Sequence, residues 1–99
     1  MRVISQAKLK AFYTKYPDAG QALKAWYDEA RKASWETPQQ IKDQYRSASF
    51  VGQNRVVFNI HGNKYRLVVA VAYKFGAVYI KFIGTHKDYD RIDAECVDQ

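Results

Sequence analysis

The sequence is poor in the residues that build metal and redox sites. Its 99 residues include one cysteine, Cys96, and two histidines, His61 and His86. An intrachain disulfide is therefore excluded, and these residues lack the close spacing of a zinc motif. Cys96 lies among Asp93, Glu95 and Asp98, whose charge raises a thiol pKa rather than activating it. A glycine-rich phosphate loop and a G-x-S-x-G nucleophile elbow are both missing. No apolar run approaches the roughly 18–20 residues of a membrane span. The opening twenty residues are positively charged but contain no apolar stretch of about 7–15 residues, so they do not read as a signal peptide. A reducing cytoplasm is the expected compartment, with no cofactor, no metal and no membrane partner. There is no repeat, linker or low-complexity segment, and residues 1–99 are expected to form one domain around one core.

Acidic residues are missing from nearly half of the chain. None occurs from Gln44 to Lys87, a stretch that carries Arg46, Arg55, Lys64, Arg66, Lys74, Lys81 and Lys87. All ten acids lie in residues 18–43 and 88–98. With a net charge of +6, this distribution suits either a face that binds an acidic partner, nucleic acid foremost, or ordinary solubilising charge.

Apolar residues make up 47% of the chain and aromatics 15%, enough for a packed globule. Val3 and Ile4 form a candidate short strand. Ser5 then offers an N-cap to a helix whose Leu9, Phe12 and Tyr16 recur at i, i+3 and i+7. Pro17 stops that helix, and Asp18 is positioned to cap a second one, with Leu23, Trp26 and Ala30 as its inward stripe. Thr37-Pro38 predicts a cap and first helical residue for a short third helix carrying Ile41 and Tyr45.

Beyond Tyr45 the period changes from 3.6 to 2. Val56, Phe58 and Ile60 alternate with Arg55, Val57 and Asn59, and Gly62-Asn63 suits a tight hairpin. With that turn, Ile60 pairs with Tyr65, Asn59 with Arg66 and Phe58 with Leu67, so that apolar meets apolar and polar meets polar. A second turn at Lys74-Phe75-Gly76 leads to a third strand, with Val78, Ile80 and Phe82 inward and Tyr79, Lys81 and Ile83 outward. The fold class is therefore α+β: N-terminal helices packed on a small antiparallel sheet, a three-stranded meander to which the N-terminal strand adds.

The same alternation places Arg55, Asn59, Lys64, Arg66 and Lys81 on the sheet side away from the helices. A solvated face is normally polar, but cations without acids among them exceed that requirement. The third strand ends in Thr85-His86-Lys87-Asp88-Tyr89-Asp90 near Lys64 and Arg66. If Thr85 caps a helical turn, His86, Tyr89 and Asp90, at i, i+3 and i+4, share a face. A histidine, a tyrosine hydroxyl and nearby cations are the groups that metal-free RNA cleavage uses. A base takes the 2′-hydroxyl proton, cations stabilise the charged transition state, and an acid protonates the leaving 5′-oxygen. A solvated strand exit with a capping histidine fits the same residues.

Two segments carry a family likeness: "VVFNIHGNKYRLVVAV", a strand followed by Gly-Asn-x-x-Arg, and "VYIKFIGTHKDYDRID", a strand followed by Thr-His-x-x-Tyr-Asp. With the "VIS" opening and with Trp35, Pro38, Ile41 and Tyr45, nearly the whole chain resembles the HigB-type toxins of the RelE-like superfamily. The resemblance implies a microbial-RNase-like architecture and a ribosome-dependent endoribonuclease that enters the ribosomal A site and cuts mRNA by 2′-hydroxyl attack without a metal. It implies a helix-turn-helix antitoxin of the HigA type as partner, with operator DNA reached only through that antitoxin. By this likeness Arg66 binds phosphate and transition-state charge, His86 acts as acid or base, and Tyr89 orients substrate or supplies a proton. Asp90 either orients His86 or caps the terminal turn. Arg55, Asn59, Lys64, Lys81 and Lys87 are expected at mRNA or ribosomal RNA. Two rival readings use the same basic face: a non-catalytic RNA- or ribosome-binding module, in which Tyr79 or Tyr89 stacks on bases, and an interaction protein that docks an acidic segment.

Overall fold

Helical periodicity in the first half and strand alternation in the second produce an α+β fold. The computed structural model describes residues 1–98. In chain order the elements are β1 (Arg2–Ile4), α1 (Ala7–Lys15), a 3-10 turn (Pro17–Ala19), α2 (Gly20–Lys32), α3 (Pro38–Gln44), β2 (Ser49–Val51), β3 (Arg55–Ile60), β4 (Tyr65–Ala72), a 3-10 turn (Tyr73–Phe75), β5 (Ala77–Thr85) and α4 (His86–Tyr89). The sheet has five strands in the order β1-β5-β4-β3-β2. The predicted antiparallel meander is β3-β4-β5, but the sheet as a whole is mixed rather than antiparallel, because β1 joins it parallel to β5. The strand not predicted is β2, three residues that pair antiparallel with β3. At that length it offers no alternation to read.

Helices α1, α2 and α3 pack on one sheet face. Leu23, Trp26 and Ala30 are buried as their spacing predicts, and the Trp26 ring meets Phe58 edge-on at 5.4 Å between centroids. Side chains such as Leu23 and Phe58, fully withdrawn from water, each stabilise the fold by about 1.5–3 kcal/mol. Thr37 caps α3, its hydroxyl accepting from the Gln40 N–H at 3.4 Å, with Pro38 in the first turn. Two predicted caps are not formed. Ser5 has φ +72° and contributes its carbonyl, not its hydroxyl, to the start of α1. Asp18 falls within the 3-10 turn, α2 starts after Ala19, and the Asp18 carboxylate turns toward the β3–β4 hairpin instead.

The β3–β4 register is the predicted one: Ile60 with Tyr65, Asn59 with Arg66, Phe58 with Leu67. The left-handed residues of its turn are His61 (φ +54°) and Gly62 (φ +64°), one position earlier than expected. The β4–β5 pairing departs further from expectation. Val68 pairs with Phe82 and Val69 with Ile80, so Lys81 is the extra residue of a β-bulge. A bulge shifts the alternation by one from that point on. Phe82, expected in the core, is therefore on the outer face, and Ile83, expected outward, packs against the core.

That outer face is not simply polar. Val57 and Val68 lie on it and are buried. The residues after α4 cross it. Arg55, only 4% exposed, donates to the backbone carbonyls of Ala94 (3.2 Å) and Val97, and Lys81 donates to that of Asp98 (3.1 Å). The Glu95 carboxylate accepts from the Gly52 N–H, and the Asp98 carboxylate pairs with Lys8 at 2.5 Å. The acidic tail thus straps the basic face. Among the described residues no helix is long and apolar enough to cross a membrane.

Candidate active-site cleft

The polar cluster at the end of β5 is ordered by local rules. Thr85 is extended (ψ 162°), and its hydroxyl accepts from the Asp88 N–H at 3.1 Å, which starts the single turn of α4. The four-residue spacing then brings His86 Nδ1 to 3.2 Å from Asp90 Oδ2. Tyr89 does not join them. Its ring is drawn to Phe82 on the outer face, 6.5 Å between centroids. Gly84 permits this return of the chain, because a Cβ there would lie 2.5 Å from Phe82 Cζ and 3.3 Å from Asp88 Cβ.

His86 lines an open cleft of about 570 Å³ at this end of the sheet. Lys15, Tyr16 and Asp18 form one wall, Lys64 and Tyr65 of the hairpin form the second, and Thr85, His86 and Lys87 form the third. The backbone joins the last two walls, since the His86 N–H donates to the Lys64 carbonyl at 3.1 Å. Among the described residues, three lysines and a histidine surround a single acid, Asp18. The hydroxyl of the buried Tyr65 donates to Asp18 Oδ1 at 2.5 Å, the Lys64 ammonium donates to Oδ2, and His61 Nε2 lies 4.0 Å from the same oxygen. The Lys64 bond, followed by the Tyr65 bond, holds the Asp18 carboxyl below its ordinary pKa. The same contacts push the Lys64 ammonium and the Tyr65 hydroxyl up.

The expected set of residues is divided by this geometry. Neighbouring strand residues point to opposite faces, so Tyr65 faces the cleft side and Arg66 the outer side. Arg66 is half-buried and held by Asn63, through the backbone carbonyl at 3.0 Å and the side-chain oxygen at 3.2 Å. It lies in register with Asn59 on β3 and Gly84 on β5, at the end of the sheet that also carries Tyr89. Lys64 was expected beside Arg66; it lies in the turn instead, and its ammonium is drawn round to Asp18. Lys87 is exposed at the cleft. Arg55 was expected at RNA, but the tail carbonyls take its guanidinium and bury it. Lys81 is in part engaged by the same tail and stands over the Tyr79 ring at 5.8 Å.

Tyr16, Asp18 and Tyr65 are cleft residues that the sequence places among caps and core, and Lys15 is one it does not single out. One signal for them existed. A buried tyrosine needs a partner for its hydroxyl, and Tyr65 sits beside a turn that has no acid of its own.

The chain matches, over residues 19–92, the model of the HigB toxin family, described as the RelE-like toxic component of a toxin–antitoxin system. It is 32% identical over 92 residues to the mRNA interferase toxin HigB of Escherichia coli K12, a match covering 91% of this chain and 88% of that protein. The mRNA interferase HigB proteins of Escherichia coli O157:H7 and Shigella flexneri match to the same extent. A helical layer on a five-stranded sheet, with the motif histidine at a cationic cleft, is thus the form this sequence takes, and the chain belongs to the HigB family of RelE-like toxins.

Proposed function

We propose that this protein is an mRNA interferase: a metal-independent endoribonuclease that cuts mRNA on the ribosome and so arrests translation. The observation that carries the reading is His86, held by Asp90 at the mouth of a cleft with three lysines. Cleavage needs a group that can take or give a proton beside cations that stabilise a charged phosphorane-like transition state. His86 is the acid or base, and Asp90 fixes its ring. Arg66, preset by Asn63 on the adjoining face, and Lys64 and Lys87 at the cleft supply positive charge to the phosphodiester. Tyr89, at the same end of the outer face as Arg66, orients the substrate. In this reading the attacking nucleophile is the 2′-hydroxyl of the RNA itself, so the protein supplies alignment and proton transfer rather than a covalent intermediate.

The relatives' names supply the substrate class, and the family supplies the toxin–antitoxin context. The partners are then a HigA-type helix-turn-helix antitoxin and mRNA in the ribosomal A site, with contacts to ribosomal RNA. Operator DNA is met only through the antitoxin, and the working compartment is the cytoplasm. The test is induced expression of wild type, His86→Ala and Arg66→Ala, with primer extension on a translated reporter mRNA. Growth arrest with in-codon cuts that vanish in either variant at equal protein level supports the assignment. Arrest without cuts replaces the enzyme with a non-catalytic ribosome-binding module.

A further inference from the structure

Among the described residues Asp18 is the one acid lining a cleft of cations, and both of its oxygens are in use. A carboxylate in that place invites the role of general base, but its bonding argues otherwise. Oδ1 accepts from the Tyr65 hydroxyl and Oδ2 from the Lys64 ammonium. A carboxylate that accepts from a cation and from a buried hydroxyl is a poor proton acceptor.

What Asp18 does have is a rigid mount. The Tyr65 ring is 1% exposed and is fixed by Phe12, edge-on at 5.3 Å, and by Tyr16 at 5.7 Å. The tyrosine hydroxyl therefore emerges from the core at a set point and holds one carboxylate oxygen there. The other oxygen is left facing the hairpin turn, where it takes Lys64. This bond joins segments 46 residues apart in the chain. Lys64 is also the residue whose carbonyl receives the His86 N–H at 3.1 Å. A single contact series therefore runs from the core to Tyr65, Asp18, Lys64 and the backbone of the candidate catalytic histidine.

We infer that Asp18 is a positioning residue for RNA cleavage: it aims the Lys64 ammonium into the cleft and fixes the turn on which His86 hangs. An ammonium has three donors. One is committed to Asp18, which sets the direction of the other two, and these meet the phosphate oxygens of the RNA. The inference rests on the reading of the cleft as the cleavage site. It assigns to Asp18 no contact with the reacting atoms.

The experiment is a double-mutant cycle on cleavage of a translated reporter mRNA in a reconstituted translation system, with rates measured at saturating and subsaturating programmed ribosomes. Asp18→Asn keeps an acceptor for Tyr65 and replaces the Lys64 partner with a neutral amide. Its kcat is expected to fall about tenfold or more, since small misplacements in a site are costly, with KM changed much less. Asp18→Asn combined with Lys64→Met is expected to cut no more slowly than Lys64→Met alone, because both changes break one coupled unit. Asp18→Glu is expected to recover part of the rate. Equal kcat in Asp18→Asn and wild type, multiplicative losses in the double variant, or faster cleavage by Asp18→Asn would each overturn the inference; the last would mean that Asp18 masks Lys64. His86→Ala in the same assay separates the two readings. If it is inactive while Asp18→Asn cuts normally, only the role of Asp18 is lost. If it cuts at the wild-type rate, the cleavage-site reading fails and the inference fails with it.

Discussion

His86 Nδ1 and Asp90 Oδ2 face each other at 3.2 Å across one helical turn, and the Asp90 N–H returns to the His86 carbonyl at 3.1 Å. Backbone and side chain thus fix the same pair twice. Both side chains remain more than half exposed, so water screens the contact and its value to stability is small. Its value is in direction: one imidazole nitrogen is held toward Asp90, which in the proposed reading leaves the other for substrate.

That division of roles separates two substitutions. Asp90→Asn is expected to lower the cleavage rate about tenfold while the melting temperature stays within about 4 °C, since exposed pairs at this spacing contribute about 0.3–0.5 kcal/mol. Thr85→Ala removes the cap of α4 at a cost of about 1 kcal/mol. It is expected to speed amide exchange at Asp88 about fivefold, as a local opening rather than a global one. Reporter cleavage, a thermal melt and hydrogen exchange measure all three. An Asp90→Asn protein that cuts at the wild-type rate would remove Asp90 from the site.

The strap on the outer face gives a second prediction. Arg55→Met keeps the bulk of the side chain and loses the two bonds to the Ala94 and Val97 carbonyls. Bonds from a charged donor contribute about 1.5–3 kcal/mol. The variant is expected to melt several degrees lower and to be nicked by protease within residues 93–98 faster than wild type. The salt dependence of its RNA binding should be unchanged, because a buried guanidinium neutralises no phosphate. A reduced salt slope would instead return Arg55 to the RNA interface.

A third prediction concerns pH. The Asp18 carboxyl, ordinarily at 3.8, titrates lower in the folded chain because Lys64 and then Tyr65 donate to it. Folding therefore favours the carboxylate, and the linked stability is complete above the unfolded value. It is lost as pH falls through the lower, folded value. The difference in melting temperature between wild type and Asp18→Asn should be constant from neutral pH down to about pH 5 and should close below pH 4. Melting curves across that range decide the matter; a gap that persists unchanged at the acid end would mean that charge on Asp18 is not what the two proteins differ in.

What could be read from the sequence, and what could not, follows the range of each interaction. The Thr85 cap, the Thr37-Pro38 start of α3, the His86–Asp90 reach and the β3–β4 register all obey rules that span a few residues or one tight turn. The bulge at Lys81 does not. Tyr79-Ile80-Lys81-Phe82-Ile83 reads as unbroken alternation, and only pairing with β4 decides which residue is left over. Asp18 followed a proline and preceded a helix, where capping is the local expectation. Its actual partners lie 46 and 47 residues away. The tail meets the basic face through the backbone carbonyls of Ala94, Val97 and Asp98, which carry no sequence signal at all.

The parallel pairing of β1 with β5 sets Val3 beside Val78, and the cleft draws its walls from residues 15–18, 64–65 and 85–87. Vectorial synthesis delivers these pieces far apart in time. A nascent chain emerging from its own ribosome can form the α1–α2 hairpin early, but the loop between β1 and β5 closes only once β5 has emerged, at the entropic cost of bringing its ends together. The wall formed by residues 85–87 is missing before then. The polypeptide is born without the complete cleft and closes it only when the residues that follow β5 have emerged.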